Sequence, residues 1–181
     1  MKFCSHCGAP VALAVPPGDN LPRHVCTRCA AVHYQNPRMV VGCIVEWESR
    51  VLLCRRAIEP RYGRWTLPAG FMENDETTAA AAARETREEA CAEVEVERLF
   101  ALVNIPHIHQ VHLFYTARLL GGSFGAGSES LESRLFAEDE IPWPEMAFRS
   151  VSFALSAWFD DRRQGSFGLH TADLPPLSPP G

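Results

Sequence analysis

The residues best suited to chemistry are an arginine and three glutamates that stand close together in the sequence: Arg84, Glu85, Glu88 and Glu89. The alanines at 79–83 favour a helix here, and Asp75 or Thr77 can cap its start. At helical spacing the three carboxylates become neighbours and repel one another. Their oxygens suit a hard divalent ion, Mg²⁺ or Mn²⁺. On these glutamates alone, the alternative is a solvated acidic helix face.

The wider spacing resembles the signature of the Nudix hydrolases. Its matching positions are a glycine, a glutamate, an Arg-Glu pair and a Glu-Glu pair: Gly70, Glu76, Arg84, Glu85, Glu88 and Glu89. Two positions depart from the signature, since Thr86 stands where an aliphatic residue is usual and Ala90 where glycine is usual. We expect the chain at Ala90 to keep the left-handed backbone that favours glycine at a helix end.

The resemblance implies a catalytic role for each matched side chain. Glu85, Glu88 and Glu89 would bind Mg²⁺ or Mn²⁺, together with the backbone carbonyl of Ala69. Arg84 would orient one of these carboxylates, and Glu76 would support the loop before the helix. The bound Mg²⁺ or Mn²⁺ would neutralise a diphosphate and activate a water molecule, and the products would be two phosphate monoesters.

The family often takes a further glutamate from a downstream loop as a ligand or general base. The candidates are Glu129 and Glu132, and we favour Glu132 because it directly precedes the strand-like residues 134–136.

The segment before the signature, residues 63–70, also resembles the family. We expect the substrate to contact Arg56, Trp65, Ala69 and Gly70, although a core position is the alternative for Trp65.

A second motif lies near the N-terminus, where two Cys-x-x-Cys pairs predict a tetrahedral zinc ribbon with the ligands Cys4, Cys7, Cys26 and Cys29. Four thiolates leave no position open for a substrate water, so this zinc is structural. Two disulfides are the alternative, but Cys43, Cys54 and Cys91 stay unpaired and the sequence shows no signal peptide. We therefore expect a reducing, cytoplasmic location. The nearby histidines are assigned to the surface.

Composition limits the partners. The 181-residue chain carries a net charge of −5, which argues against binding a nucleic-acid polymer, and it contains no apolar run of membrane-spanning length. We expect a small nucleotide diphosphate as substrate and no membrane partner, and a homodimer is compatible with this expectation.

The expected architecture is α/β (α+β), a Nudix αβα sandwich with a mixed sheet, preceded by a small zinc ribbon. The predicted domains are a ribbon over 1–34, a Nudix domain over 35–168 and a disordered, proline-rich tail over 169–181. Strands are predicted at 39–46, 51–56, 93–96 followed by 99–104, and 110–120, and a final helix follows around Val151. The glycine-rich residues 121–127 are interpreted as a mobile connection, and His107, His109 and His112 as the polar side of a strand.

Along most of its length the chain is similar to the plant chloroplast Nudix hydrolases that cleave FAD and ADP-ribose, and to their bacterial relatives. This implies hydrolysis of the diphosphate in FAD, ADP-ribose or a similar compound. One alternative is an NADH or NAD pyrophosphatase, whose signature has only a partial echo at residues 142–144. The other is a non-catalytic nucleotide sensor that uses the ribbon to bind a partner.

Overall fold

The structure, a computed structural model, describes residues 1–176, and these divide into two units at Pro37 and Arg38. The first unit is a three-stranded antiparallel sheet of β1 (Val11–Ala14), β2 (Arg23–Cys26) and β3 (Val32–His33). It contains few buried apolar side chains, so a bound metal is the natural source of its stability.

The second unit is built on a mixed sheet with the order β10-β5-β4-β9-β8-β11, to which β6 and β7 are added at β5 and β4. Its strands are β4 (Arg38–Trp47), β5 (Arg50–Arg56), β6 (Trp65–Thr66), β7 (Ala69–Phe71), β8 (Val94–Ile105), β9 (Gln110–Leu119), β10 (Ser130–Phe136) and β11 (His170–Asp173). The β4–β9 and β8–β11 pairs are parallel, and the other pairs are antiparallel.

Two helices cover the two faces of this sheet. They are α1 (Thr78–Ala90) and α2 (Arg149–Gln164), and three short 3₁₀ turns lie at Pro106–Ile108, Glu138–Glu140 and Trp143–Glu145. The alanine face of α1 packs on Val41, Cys43 and Val45, whereas the alternate residue Ile44 packs with the apolar face of α2. The predicted αβα sandwich is confirmed. Among the described residues, neither helix is long and apolar enough to cross a membrane.

The ends of α1 show how the sequence fixes the helix. Thr77 is the N-cap, and its hydroxyl oxygen accepts a hydrogen bond from the Ala80 N–H at 3.2 Å. The expectation for Ala90 is wrong, because Ala90 is the last helical residue and is fully buried. The left-handed residue is the next one, Cys91, with φ 47° and ψ 35°. Thr86 is tolerated in the core because its hydroxyl donates to the Ala82 carbonyl at 2.8 Å.

The prediction of a disordered tail from residue 169 is also wrong at its start. His170–Asp173 forms β11, which pairs in parallel with Ala101–Asn104 of β8. His170 Nε2 lies 2.8 Å from Asp161 Oδ2, so the strand is also tied to α2. The tail prediction for residues 177–181 lies outside the described residues.

Candidate active site

Arg84 is the centre of the hydrogen-bond network around the acidic helix. Its Nε and Nη2 donate to the two carboxylate oxygens of Glu76 at 3.0 and 2.8 Å, a two-pronged contact. Its Nη1 donates to Glu85 at 2.8 Å and to Glu88 at 3.1 Å, and its Nη2 also donates to the Phe71 carbonyl. This contact with Arg84 lowers the pKa of Glu76 to about 2. One arginine therefore joins the loop before α1 to two of the predicted metal ligands.

The loop that precedes the helix passes very close to these carboxylates. A Cβ at Gly70 would lie 2.3 Å from Glu85 Oε2, so a side chain here would push the Glu85 carboxylate from its position. The next residue upstream, Ala69, donates its N–H to Glu89 Oε2 at 3.1 Å. The backbone of β7 thus lies directly against Glu85 and Glu89.

Two of the three glutamates are buried, and the effect of burial on their pKa outweighs that of the nearby arginines. Glu85 is 9% exposed and Glu89 is 7% exposed. Burial raises the pKa of Glu85, and burial raises the pKa of Glu89 to about 7 even though Ala69 donates to it. The negative charge of Glu88 also raises the pKa of Glu85, that of Glu85 raises the pKa of Glu89, and that of Glu129 raises both. Mg²⁺ and Mn²⁺ prefer oxygen ligands, and the candidates here are Glu85, Glu88, Glu89 and the Ala69 carbonyl.

The acidic helix faces a cavity of about 790 Å³, large enough for a dinucleotide-sized ligand. Glu85, Glu88 and Glu89 line one part of it. Apolar residues line much of the rest: Ile58, Ile105, Ile108, Phe114 and Phe148. The cavity is therefore lined by both charged carboxylates and apolar side chains.

The downstream glutamate in this cavity is Glu129, and the preference for Glu132 is not supported. Glu129 lines the cavity. Glu132 is exposed on β10, where its backbone lies opposite that of Arg55 in β5. The register of β10 shifts between Ser130 and Glu132, so regular strand alternation cannot be extended back to Glu129.

The two other predicted substrate contacts differ in their positions. Arg56 lines the cavity, donates to the Pro60 carbonyl at 2.9 Å and places its guanidinium 5.1 Å from the centre of the Phe148 ring. Trp65 does not line the cavity. It is buried in the core, with its ring edge-on to Phe136 at 4.9 Å, so the core alternative holds and the substrate-contact prediction is wrong.

Sequence reasoning missed a hydrogen-bonded polar chain among the residues that line the cavity. His112 is buried, and its Nδ1 lies 2.9 Å from Ser150 Oγ while its Nε2 lies 2.9 Å from Gln110 Oε1. Burial lowers the pKa of His112 to about 4, so this imidazole is neutral at pH 7. His107 also lines the cavity. The alternation of polar and apolar residues in β9 predicted that the histidines lie on its polar side, but it could not show that α2 covers His112.

The four cysteines of the ribbon form a second site. Their sulfurs all lie within 4.8 Å of one another, and three of the separations are 3.7, 3.5 and 3.5 Å. A zinc tetrahedron with bonds of about 2.3 Å has edges of about 3.8 Å, so the cluster has the size that zinc requires. Backbone N–H groups of His6, Arg28 and Cys29 lie 3.4 Å from Cys4 or Cys26 sulfurs.

His33, one of the histidines assigned to the surface, instead contacts a cysteine of the ribbon site. His33 Nε2 lies 3.2 Å from Cys4 Sγ, at hydrogen-bond distance from a thiolate ligand. Among the described residues, this cysteine group alone brings at least three His, Cys, Asp or Glu ligand atoms into such a tight cluster.

Comparison with known proteins assigns both units. The Nudix N-terminal zinc-ribbon model matches residues 2–35, and the NUDIX domain model matches residues 36–159. The ADP-ribose pyrophosphatase of Methanocaldococcus jannaschii is 29% identical over 60% of this chain and 67% of its own length. A Chromobacterium violaceum protein named NAD-capped RNA hydrolase NudC is 33% identical over 78% of this chain and 52% of its own length. The chain thus spans about half the length of that relative.

Solved structures agree with these matches. The crystal structure of a NUDIX hydrolase from Nitrosomonas europaea is 53% identical, covers 96% of this chain and all of that one, and superposes with a TM-score of 0.91. An ADP-ribose pyrophosphatase from Streptococcus suis is 25% identical, covers 75% of this chain and 99% of that one, and has a TM-score of 0.62. Because the NUDIX domain model matches more than half of its residues and the zinc-ribbon model matches the rest of its N-terminal part, this chain belongs to the Nudix hydrolases.

Proposed function

We propose that this protein hydrolyses the diphosphate bond of a nucleoside diphosphate linked to a second group, such as ADP-ribose or FAD, with Mg²⁺ or Mn²⁺ as cofactor. The observation that carries the proposal is the position of Glu85, Glu88 and Glu89 along a cavity of about 790 Å³. A lining of both carboxylates and apolar side chains suits a substrate with a diphosphate and a flat ring system. The pyrophosphatase names of several relatives support the same reaction class.

The roles of the residues follow from their contacts. When bound, Mg²⁺ or Mn²⁺ supplies neutralising charge at the diphosphate and lowers the pKa of an attacking water. Glu85, Glu88 and Glu89 would hold the ion, and Arg84 keeps Glu85 and Glu88 in place through its two short contacts. Glu129, which lines the cavity, would accept a proton from the water molecule as that water attacks phosphorus. The departing group leaves as one phosphate monoester, and the attacked phosphorus becomes the other.

A second candidate is an NAD-type substrate, including an NAD cap on RNA. It is favoured by the relatives named NAD-capped RNA hydrolases, of which the Pseudomonas aeruginosa protein aligns over 91% of this chain at 29% identity. In either case, the diphosphate of the substrate would lie beside Glu85, Glu88 and Glu89 in the cavity.

The deciding experiment is a turnover panel with Mg²⁺ or Mn²⁺ and separation of the products. The substrates are ADP-ribose, FAD, NADH, NAD⁺, an NAD-capped oligoribonucleotide, dinucleoside polyphosphates and nucleoside triphosphates. The proposal expects metal-dependent release of two phosphate monoesters, with ADP-ribose or FAD at the highest kcat/KM. Tight binding of these compounds without metal-dependent turnover would instead identify a nucleotide sensor.

A further inference from the structure

The glycine-rich segment 121–127 is docked on the end of the catalytic helix at two points. The Gly125 N–H donates to the Ala90 carbonyl at 2.7 Å, and the Gly127 N–H donates to the Glu89 carbonyl at 2.9 Å. These carbonyls belong to the last turn of α1, where no helical N–H is left to bind them. The segment therefore supplies the missing donors and is held against the helix by them.

Only one of the two glycine positions leaves room for a side chain. A Cβ at Gly127 would lie 1.8 Å from the Glu88 carbonyl oxygen and 2.8 Å from the Glu88 carbonyl carbon. A Cβ at Gly125 would meet only the Cys91 side chain, at 3.9 Å, which is ordinary contact. Neither glycine has a positive φ. Gly127 is thus required for close approach to the helix, and Gly125 is not.

Glu129 lies two residues after Gly127, in the turn that begins at Gly127. The Gly127 carbonyl accepts from the Ser130 N–H at 3.1 Å, which closes a tight turn around Ser128 and Glu129. The Glu129 carbonyl accepts from the Ala57 N–H at 2.8 Å, just after β5. The backbone of Glu129 is therefore fixed between α1 and the end of β5, and its side chain is left at the cavity.

We propose that Gly127 is a positioning residue, which sets the depth at which the Glu129 turn docks on α1 and so places the Glu129 carboxylate opposite Glu85 and Glu89. This inference rests on the proposed function, in which Glu129 takes the water proton. Any side chain at position 127 moves the turn outwards and withdraws the carboxylate from the reacting water.

The test is a double-mutant cycle in the full-length zinc-loaded protein, with Gly127→Ala, Glu129→Gln and the double variant, and with Gly125→Ala as the matched control. Glu129→Gln is expected to lower kcat by about a hundredfold. Gly127→Ala is expected to lower kcat at least about tenfold with little change in KM, and the double variant to lose no more than Glu129→Gln alone. Gly125→Ala should keep wild-type kcat.

A second measurement separates this inference from the proposed function. Amide hydrogen exchange of residues 125–130 should quicken at least about tenfold in Gly127→Ala and stay at the wild-type rate in Gly125→Ala. Mn²⁺ binding, measured by calorimetry, should be the same in Gly127→Ala and Gly125→Ala as in the wild type, because the helix ligands and Glu129 itself are unchanged. Unchanged exchange in Gly127→Ala, additive losses of kcat, or loss of Mn²⁺ binding with Gly127→Ala would each overturn the inference. If wild-type protein hydrolyses no substrate, the proposed function fails while the exchange data still decide the role of Gly127.

Discussion

Two neighbouring residues at the end of α1 should respond in opposite directions to the same substitution by glycine. Ala90 is helical and fully buried, whereas Cys91 is exposed and has the left-handed backbone that favours glycine. Ala90→Gly loses about 1 kcal/mol of helix propensity and about 1 kcal/mol of buried methyl, so the free energy of unfolding should fall by about 2 kcal/mol.

The change at Cys91 has a smaller effect of the other sign. Glycine relieves about 1 kcal/mol of left-handed strain, and the greater freedom of the unfolded chain offsets roughly half of this gain. Cys91→Gly should therefore raise the free energy of unfolding by about 0.5 kcal/mol.

Calorimetric melting of both variants, with zinc bound and thiols reduced, measures this difference. In a domain of this size, about 1 kcal/mol shifts Tm by roughly 2–4 °C. Ala90→Gly should melt about 4–8 °C below wild type, and Cys91→Gly about 1–2 °C above it. An Ala90→Gly variant as stable as wild type, or a Cys91→Gly variant that is clearly less stable, would refute the assignment of the helix end.

Three further predictions concern His112, Arg84 and the zinc ribbon. Because the pKa of buried His112 lies near 4 and that of an unfolded histidine near 6.5, the unfolded state binds the proton first as pH falls. Wild type should consequently lose about 2 kcal/mol more stability than His112→Gln between pH 7 and pH 5 in urea titrations, and equal losses would contradict this. Lysine in Arg84→Lys cannot keep the two-pronged contact with Glu76, so this variant should lower kcat at least about tenfold. The exposed control Arg87→Lys should stay near wild type, and equal activity of the two variants would exclude the positioning role of Arg84. Metal analysis should find one zinc per chain in the wild type and in Cys91→Ser but a loss of zinc in Cys4→Ser, and zinc-free wild type would rule out the ribbon site.

Local patterns in the sequence were sufficient to predict most of the catalytic helix. Residues that act together on α1 are three or four positions apart, so their grouping follows from helical geometry alone. The apolar runs of β4 and β5 were equally clear, because both faces of these strands are covered by helices.

The errors fall where distant segments decide the outcome. β11 is recognisable only through its pairing with β8, about seventy residues away. The choice between Glu129 and Glu132 depended on an irregular register in β10. The burial of His112 depended on Ser150 at the start of α2, and the docking of Gly127 depended on carbonyls of α1. None of these partners can be identified from residue type and spacing within one segment.

The central claim is that the carboxylates of α1 carry metal-dependent diphosphate hydrolysis, and kcat of Glu89→Gln tests it most directly. The substitution keeps the side-chain shape and removes one ligand charge, and Glu93→Gln provides an exposed control that lies outside the cavity. With the best substrate of the panel and saturating Mg²⁺, Glu89→Gln should lower kcat at least about a hundredfold without loss of thermal stability, while Glu93→Gln should remain within about twofold of wild type. A Glu89→Gln enzyme with near-normal kcat under these conditions would remove the helix carboxylates from the mechanism.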